Sequence, residues 1–205
     1  PLAPIGCTSA AAPAFRWSAC TDEASGVAST TLTVDGVAEP AISGAATEAS
    51  LTRSLGDGTY GWTVACADAA GNSATSEAAV FTVDRTPPVV GATRAAESGG
   101  GITLELSASD ASSCGGVASV SFSVNGGDFV AATAAGGGRF DAALGALAAG
   151  SYTVSLRAAD TLGNVGTGSA TINVGACWQQ GACSGSSCST PAPTTVTCDD
   201  GSACT

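Results

Sequence analysis

The chain of 205 residues contains no histidine, no methionine and no lysine, and its six positive charges are all arginine. Each absence removes a chemistry. Without histidine there is no Ser-His or Cys-His couple, no imidazole acid or base and no histidine-ligated zinc. Without lysine there is no Schiff base and no phosphate loop of the Walker type. Six scattered arginines against 17 acidic residues leave a formal net charge of −11. That balance offers no basic footprint for nucleic acid or an anionic membrane. Aromatic residues are only 5% of the chain, so its cores are thin and Ala-rich. Charged residues are only 11% and mean hydropathy is positive, which excludes a charge-extended disordered chain. No apolar run approaches the roughly 18 residues of a membrane helix, so no membrane insertion is expected.

What the chain does have is glycine (28 residues) and cysteine (nine). Nine cysteines point to an oxidising compartment, hence a secreted or cell-surface protein. Five of them, Cys177, Cys183, Cys188, Cys198 and Cys204, cluster at spacings without the C-x2-C pairs of zinc ribbons. They read as disulfides of unknown pairing rather than metal ligands. Nine is odd, so at least one thiol is free, bonded to another chain or paired outside this segment. The start at Pro1, without a signal peptide, is expected of a processed chain or a piece of a longer one.

The chain repeats itself. ASGVASTTLTVDG (24–36) matches GGVASVSFSVNGG (115–127), and LGDGTYGWTVACADAAGN (55–72) matches LAAGSYTVSLRAADTLGN (147–164). The offset is about 91 residues throughout, as two tandem copies of one fold would give. Between them Arg85-Thr86-Pro87-Pro88 forms a stiff joint. Within each copy apolar residues alternate with polar ones at the period of a strand. Tyr60, Trp62, Val64 and Cys66 share one face in the first, and Tyr152, Val154, Leu156 and Ala158 in the second. Phe15, Trp17 and Ala19, and likewise Ile102, Leu104 and Leu106, do the same on earlier strands. Asp35-Gly36 and Asn125-Gly126 are hairpin-turn dipeptides. No segment carries a helical stripe, so both copies read as all-β with about seven short strands each.

These residues resemble bacterial immunoglobulin-like or fibronectin type III-like repeats. The first copy carries most of the pattern: Phe15, Trp17, Asp22, Gly26, Val27, Asp35, Gly36, Gly58, Tyr60, Trp62, Val64, Asp68, Gly71, Asn72, and the closing Val83-Asp84 with Pro87-Pro88. The second lacks the tryptophans and the closing Asp-x-Thr-Pro-Pro. The resemblance implies an all-β fold of two immunoglobulin-like sandwiches (1–84 and 89–175, joined by 85–88) plus a disulfide-rich irregular tail (176–205). In that tail, CDDGSACT resembles the start of a Cys-rich C-D-D-G-x-x-C-T repeat of bacterial surface proteins. The implied role is a stalk, spacer or extracellular filament subunit with neighbouring copies or domains as partners. An accessory module binding carbohydrate or calcium is the alternative, and no catalysis is expected.

The fold also implies a Cys20–Cys66 bridge, because the second and sixth strands of such a sandwich end together in opposite sheets. Its loop of about 45 residues would contribute roughly 3 to 4 kcal/mol in the chain-entropy model. Cys7 and Cys114 stay unassigned, with bonding to another chain one option. Two readings stand for the acidic turns. Asp68 with Asn72 and Asp160 with Asn164, joined by Asp22 or Asp110, could offer oxygen ligands to calcium, the one cofactor considered. The same residues are explained as Asx-turns that cap their own backbone, with no metal. The adjacent pairs Asp22-Glu23 and Asp199-Asp200 point apart, whereas glycoside hydrolysis needs carboxylates roughly 5 to 9 Å apart across one sugar. Trp17 and Trp62 have core parity, which leaves Trp178 as the aromatic candidate for a glycan.

Overall fold

The computed structural model describes residues 1–98, 100–111 and 114–174. All regular structure among them is β, divided between a unit of Pro1–Arg85 and a second unit beginning at Thr86. In the first unit the strands are β1 (Gly6–Thr8), β2 (Ala14–Arg16), β3 (Val27–Val34), β4 (Val37–Ala38), β5 (Ile42–Ser43), β6 (Glu48–Ser50), β7 (Gly58–Asp68), β8 (Ser73–Thr75) and β9 (Ala79–Val83). In the second they are β10 (Val89–Ser98), β11 (Gly101–Ser109), β12 (Val117–Val124), β13 (Val130–Ala131), β14 (Thr133–Gly136), β15 (Arg139–Gly145), β16 (Gly150–Asp160) and β17 (Val165–Val174).

The first unit sets β2–β6 against a larger sheet ordered β1-β9-β7-β3-β4, with β5 added on β3 and β8 on β7. The N-terminal segment serves both sheets. Ala3 bridges Arg16, the Ala3–Pro4 peptide is cis, and Gly6–Thr8 then runs parallel to β9. Alternation puts Leu32 and Val34 of β3, Trp62 and Val64 of β7, and Phe81 and Val83 of β9 on the inner face. There they meet Phe15 and Trp17. Phe15 packs edge-on to both Trp62 and Phe81, at 5.1 and 5.6 Å between ring centroids. Such aromatic contacts add about 0.5–1.5 kcal/mol each beyond area burial. Both indoles are satisfied, Trp17 donating to Ala46 O and Trp62 to Pro4 O. Ala19 departs from its expected core position. β2 ends at Arg16, the alternation stops there, and Ala19 is exposed.

The second unit has sheets ordered β10-β11-β15-β14 and β13-β12-β16-β17. Ile102, Leu104 and Leu106 of β11 join Val120, Phe122, Val154, Leu156, Ala158 and Ile172 in one apolar cluster. The expectation of about seven short strands per unit becomes nine and eight, a number that includes the two-residue strands β4, β5 and β13. Asp35 and Gly36 (φ 53° and 76°) and Asn125 and Gly126 (φ 50° and 76°) hold the left-handed conformation of tight hairpin turns. Tyr60 donates to Gly56 O (3.1 Å) and Tyr152 to Ala148 O (2.9 Å), a matching corner that fixes the entry to β7 and β16.

Candidate functional site

The chemistry-bearing residues gather on the turns that follow the long strands β7 and β16. In the first unit Asn72 donates through its backbone N–H to Asp68 Oδ1 (2.8 Å) and through Nδ2 to Oδ2 (2.7 Å). In the second, Asn164 makes the same pair of bonds to Asp160 at 2.8 and 2.7 Å, and Leu162 N–H adds a third at 2.9 Å. Asp22 takes three donors on one oxygen: Ser25 N–H, Ser25 Oγ and Gly26 N–H. All three carboxyls are held below the ordinary aspartate value. For Asp68 the Asn72 amide is the leading cause, and for Asp22 the Ser25 N–H. Burial pushes Asp160 up, but the bonds from Asn164 and from the turn backbone outweigh it. The turns also interlock with the loop before β3 or β12. Ala69 N–H donates to Gly26 O (3.1 Å), and Thr161 N–H to the carbonyls of Gly115 and Gly116.

Cys20 and Cys66 form a disulfide with Cα atoms 6.5 Å apart, Cys20 lying four residues beyond the end of β2. The bridge borders a cleft of about 480 Å³ in the first unit. Trp17 and Val64 are its buried lining, Val27, Asp22 and Asp68 are half-buried, and Asn72 and residues 73–75 are exposed. Among the described residues that line it, Asp22 and Asp68 carry the charged side chains, and Pro1 lies on it as well. The expected Cys20–Cys66 pair and the acidic residues Asp22 and Asp68 therefore share one concavity. Glu23 does not line it. In the second unit, carboxylate oxygens of Asp110 and Asp160 lie within 4.8 Å of each other.

Cys7 and Cys114 are each disulfide-bonded. Trp178 and the five tail cysteines, with the C-D-D-G motif, lie outside the described residues. Residues 73–76, which form a wall of the cleft, carried no signal in the sequence beyond turn-like composition. Glu39 was equally silent. It is buried (7% exposed), accepts from Thr52 Oγ1 at 2.7 Å and pairs with Arg53 at 3.5 Å.

Residues 6–85 match the model of the Bacterial Ig-like domain family, and residues 82–156 that of the Bacterial Ig domain family. The chain thus carries two tandem bacterial immunoglobulin-like domains. Among solved structures, the fibronectin(III)-like modules of Clostridium thermocellum CbhA are similar to it at 17% identity. The match covers 85% of this chain and 92% of that one, with a TM-score of 0.44. No curated protein matches the sequence. Such domains, together with disulfides, are consistent with an extracellular location. No helix among the described residues is long and apolar enough to cross a membrane.

Proposed function

We propose that the chain is a structural segment of a secreted bacterial surface protein, acting as a spacer or stalk within an assembly of neighbouring domains or copies. The observation that supports this most is where the reactive-looking groups go. Asp22, Asp68 and Asp160 cap their own turns, and Cys20 and Cys66 pin a sheet end. Side chains so used set shape and stiffness rather than turn over a substrate. A spacer acts through length, so its surface is replaceable. In the secreted protein that carries it, exchanging both sandwiches for an unrelated immunoglobulin-like pair of equal length is expected to preserve export and attachment. Loss of attachment with export intact would overturn the structural reading.

The proximity of Asp110 and Asp160 favours a second reading, calcium binding at that end of the second unit. A melting temperature raised by millimolar calcium and restored by EDTA would support it. An unchanged value in both would remove it.

A further inference from the structure

We propose that the cleft of the first unit binds an extended, lysine- or arginine-bearing peptide segment of another protein, added as a strand to β8. The inference is independent of the spacer role and concerns a site beyond it.

Three observations carry it. The first is room: a cleft of about 480 Å³ falls within the size range of small ligand sites. Buried Trp17 and Val64 and the Cys20–Cys66 bridge give it an apolar, cross-linked lining. The second is an open sheet edge. Among the described residues β8 pairs with β7 alone, through Ala65–Thr75, Cys66–Ala74 and Ala67–Ser73, and its three residues are all exposed. β1 covers the edge of β9 only at residues 81–83 and stops short of β8. No charge or proline lies in β8 to deter another strand. The equivalent strand of the second unit is treated differently. β17 runs unbroken for ten residues, and the main chain of Pro88 and Val90 sits against Gly166 and Gly168. Between β8 and β9, Ser76 accepts from Val64 N–H through Oγ and donates its own N–H to Val64 O.

The third observation is charge. Asp22 and Asp68 both line the cleft and no arginine does. Strand addition supplies affinity through the main chain, and pockets for alternate side chains supply selectivity. Here the pocket selects a cation. A second copy of this chain is the poorer candidate. It has no lysine, and of its six arginines four are in ion pairs and Arg157 is stacked on Phe129, which leaves Arg139. Two copies also approach each other at −11 each.

The test is titration of the 15N-labelled chain with the capped peptide Thr-Val-Lys-Val-Lys-Val-Thr and with its Glu-for-Lys counterpart, followed by NMR. The expected result is saturable shifts of the amides of residues 73–75 and the Trp17 indole with the lysine peptide only. Affinity should fall about tenfold in the double variant Asp22→Asn, Asp68→Asn, whose amide oxygens can still cap the turns. Unchanged dispersion of the remaining spectrum shows that the variant folds. Equal binding of the Glu peptide, no shift at millimolar peptide, or shifts confined to the second unit would each overturn the proposal. So would peptide-independent shifts at residues 73–75 that grow with protein concentration, which would make a second copy the occupant.

Discussion

Asp68 and Asp160 occupy equivalent places in the two repeats, and each is tied to an asparagine four residues on by two bonds of matching length. With Asp22 they bind their proton less readily in the fold than an ordinary aspartate does, near pH 3.9. The unfolded chain therefore takes up protons first as the pH falls. The stability these groups contribute is complete above about pH 3.9 and is lost as the pH drops through their lower folded values. Urea midpoints measured from about pH 5 to about pH 2 should decline across that window, and Asp160→Asn should flatten the decline. A midpoint independent of pH there would show that these bonds contribute no net stability. The D-x-x-G-N spacing made the turns legible, since an aspartate followed by glycine and asparagine suits a turn that caps itself. The tyrosine corners were less so. Tyr60 and Tyr152 were readable as strand residues, but their carbonyl partners lie in loops whose path only the folded chain defines.

Among the elements, β17 shows best how close packing replaces a side chain. A Cβ on Gly166 would collide with the carbonyl of Pro88, and one on Gly168 with that of Val90. Gly166→Ala should therefore cost about 1–3 kcal/mol, as overpacking does. Gly61→Ala, on a first-unit strand with nothing within 4 Å of the new methyl, should cost little. Equal losses in urea denaturation would count against the contact and for a general strand effect. Strand identity here was visible from period-2 alternation, because burial of one face imposes it. Where main chain packs against a strand was not visible, since that depends on where a distant backbone runs. Ala19 marks the same boundary: parity assigned it to the core, but the strand had already ended at Arg16.

For the molecule as a whole, each unit has its own apolar core, and Cys20–Cys66 belongs to the first alone. Replacing both cysteines by serine opens a loop with a sequence separation of 46 and should cost the first unit about 4 kcal/mol in the chain-entropy model. Calorimetry should show the loss confined to one transition. A uniform shift of all unfolding would mean that the units do not melt separately. From the sequence alone came the all-β class, the tandem repeat, the hairpin turns and the core faces. These follow from local periodicity and from the few residues that tolerate left-handed backbone. The absence of histidine and lysine likewise excluded whole chemistries before any coordinate. Only the tertiary structure decided that Asp22, Asp68 and the disulfide share a cleft beside an open strand. It also decided that the main chain of Pro88 and Val90 packs against Gly166 and Gly168 of β17. Those arrangements depend on which distant backbones approach one another, and no local pattern in a chain encodes that approach.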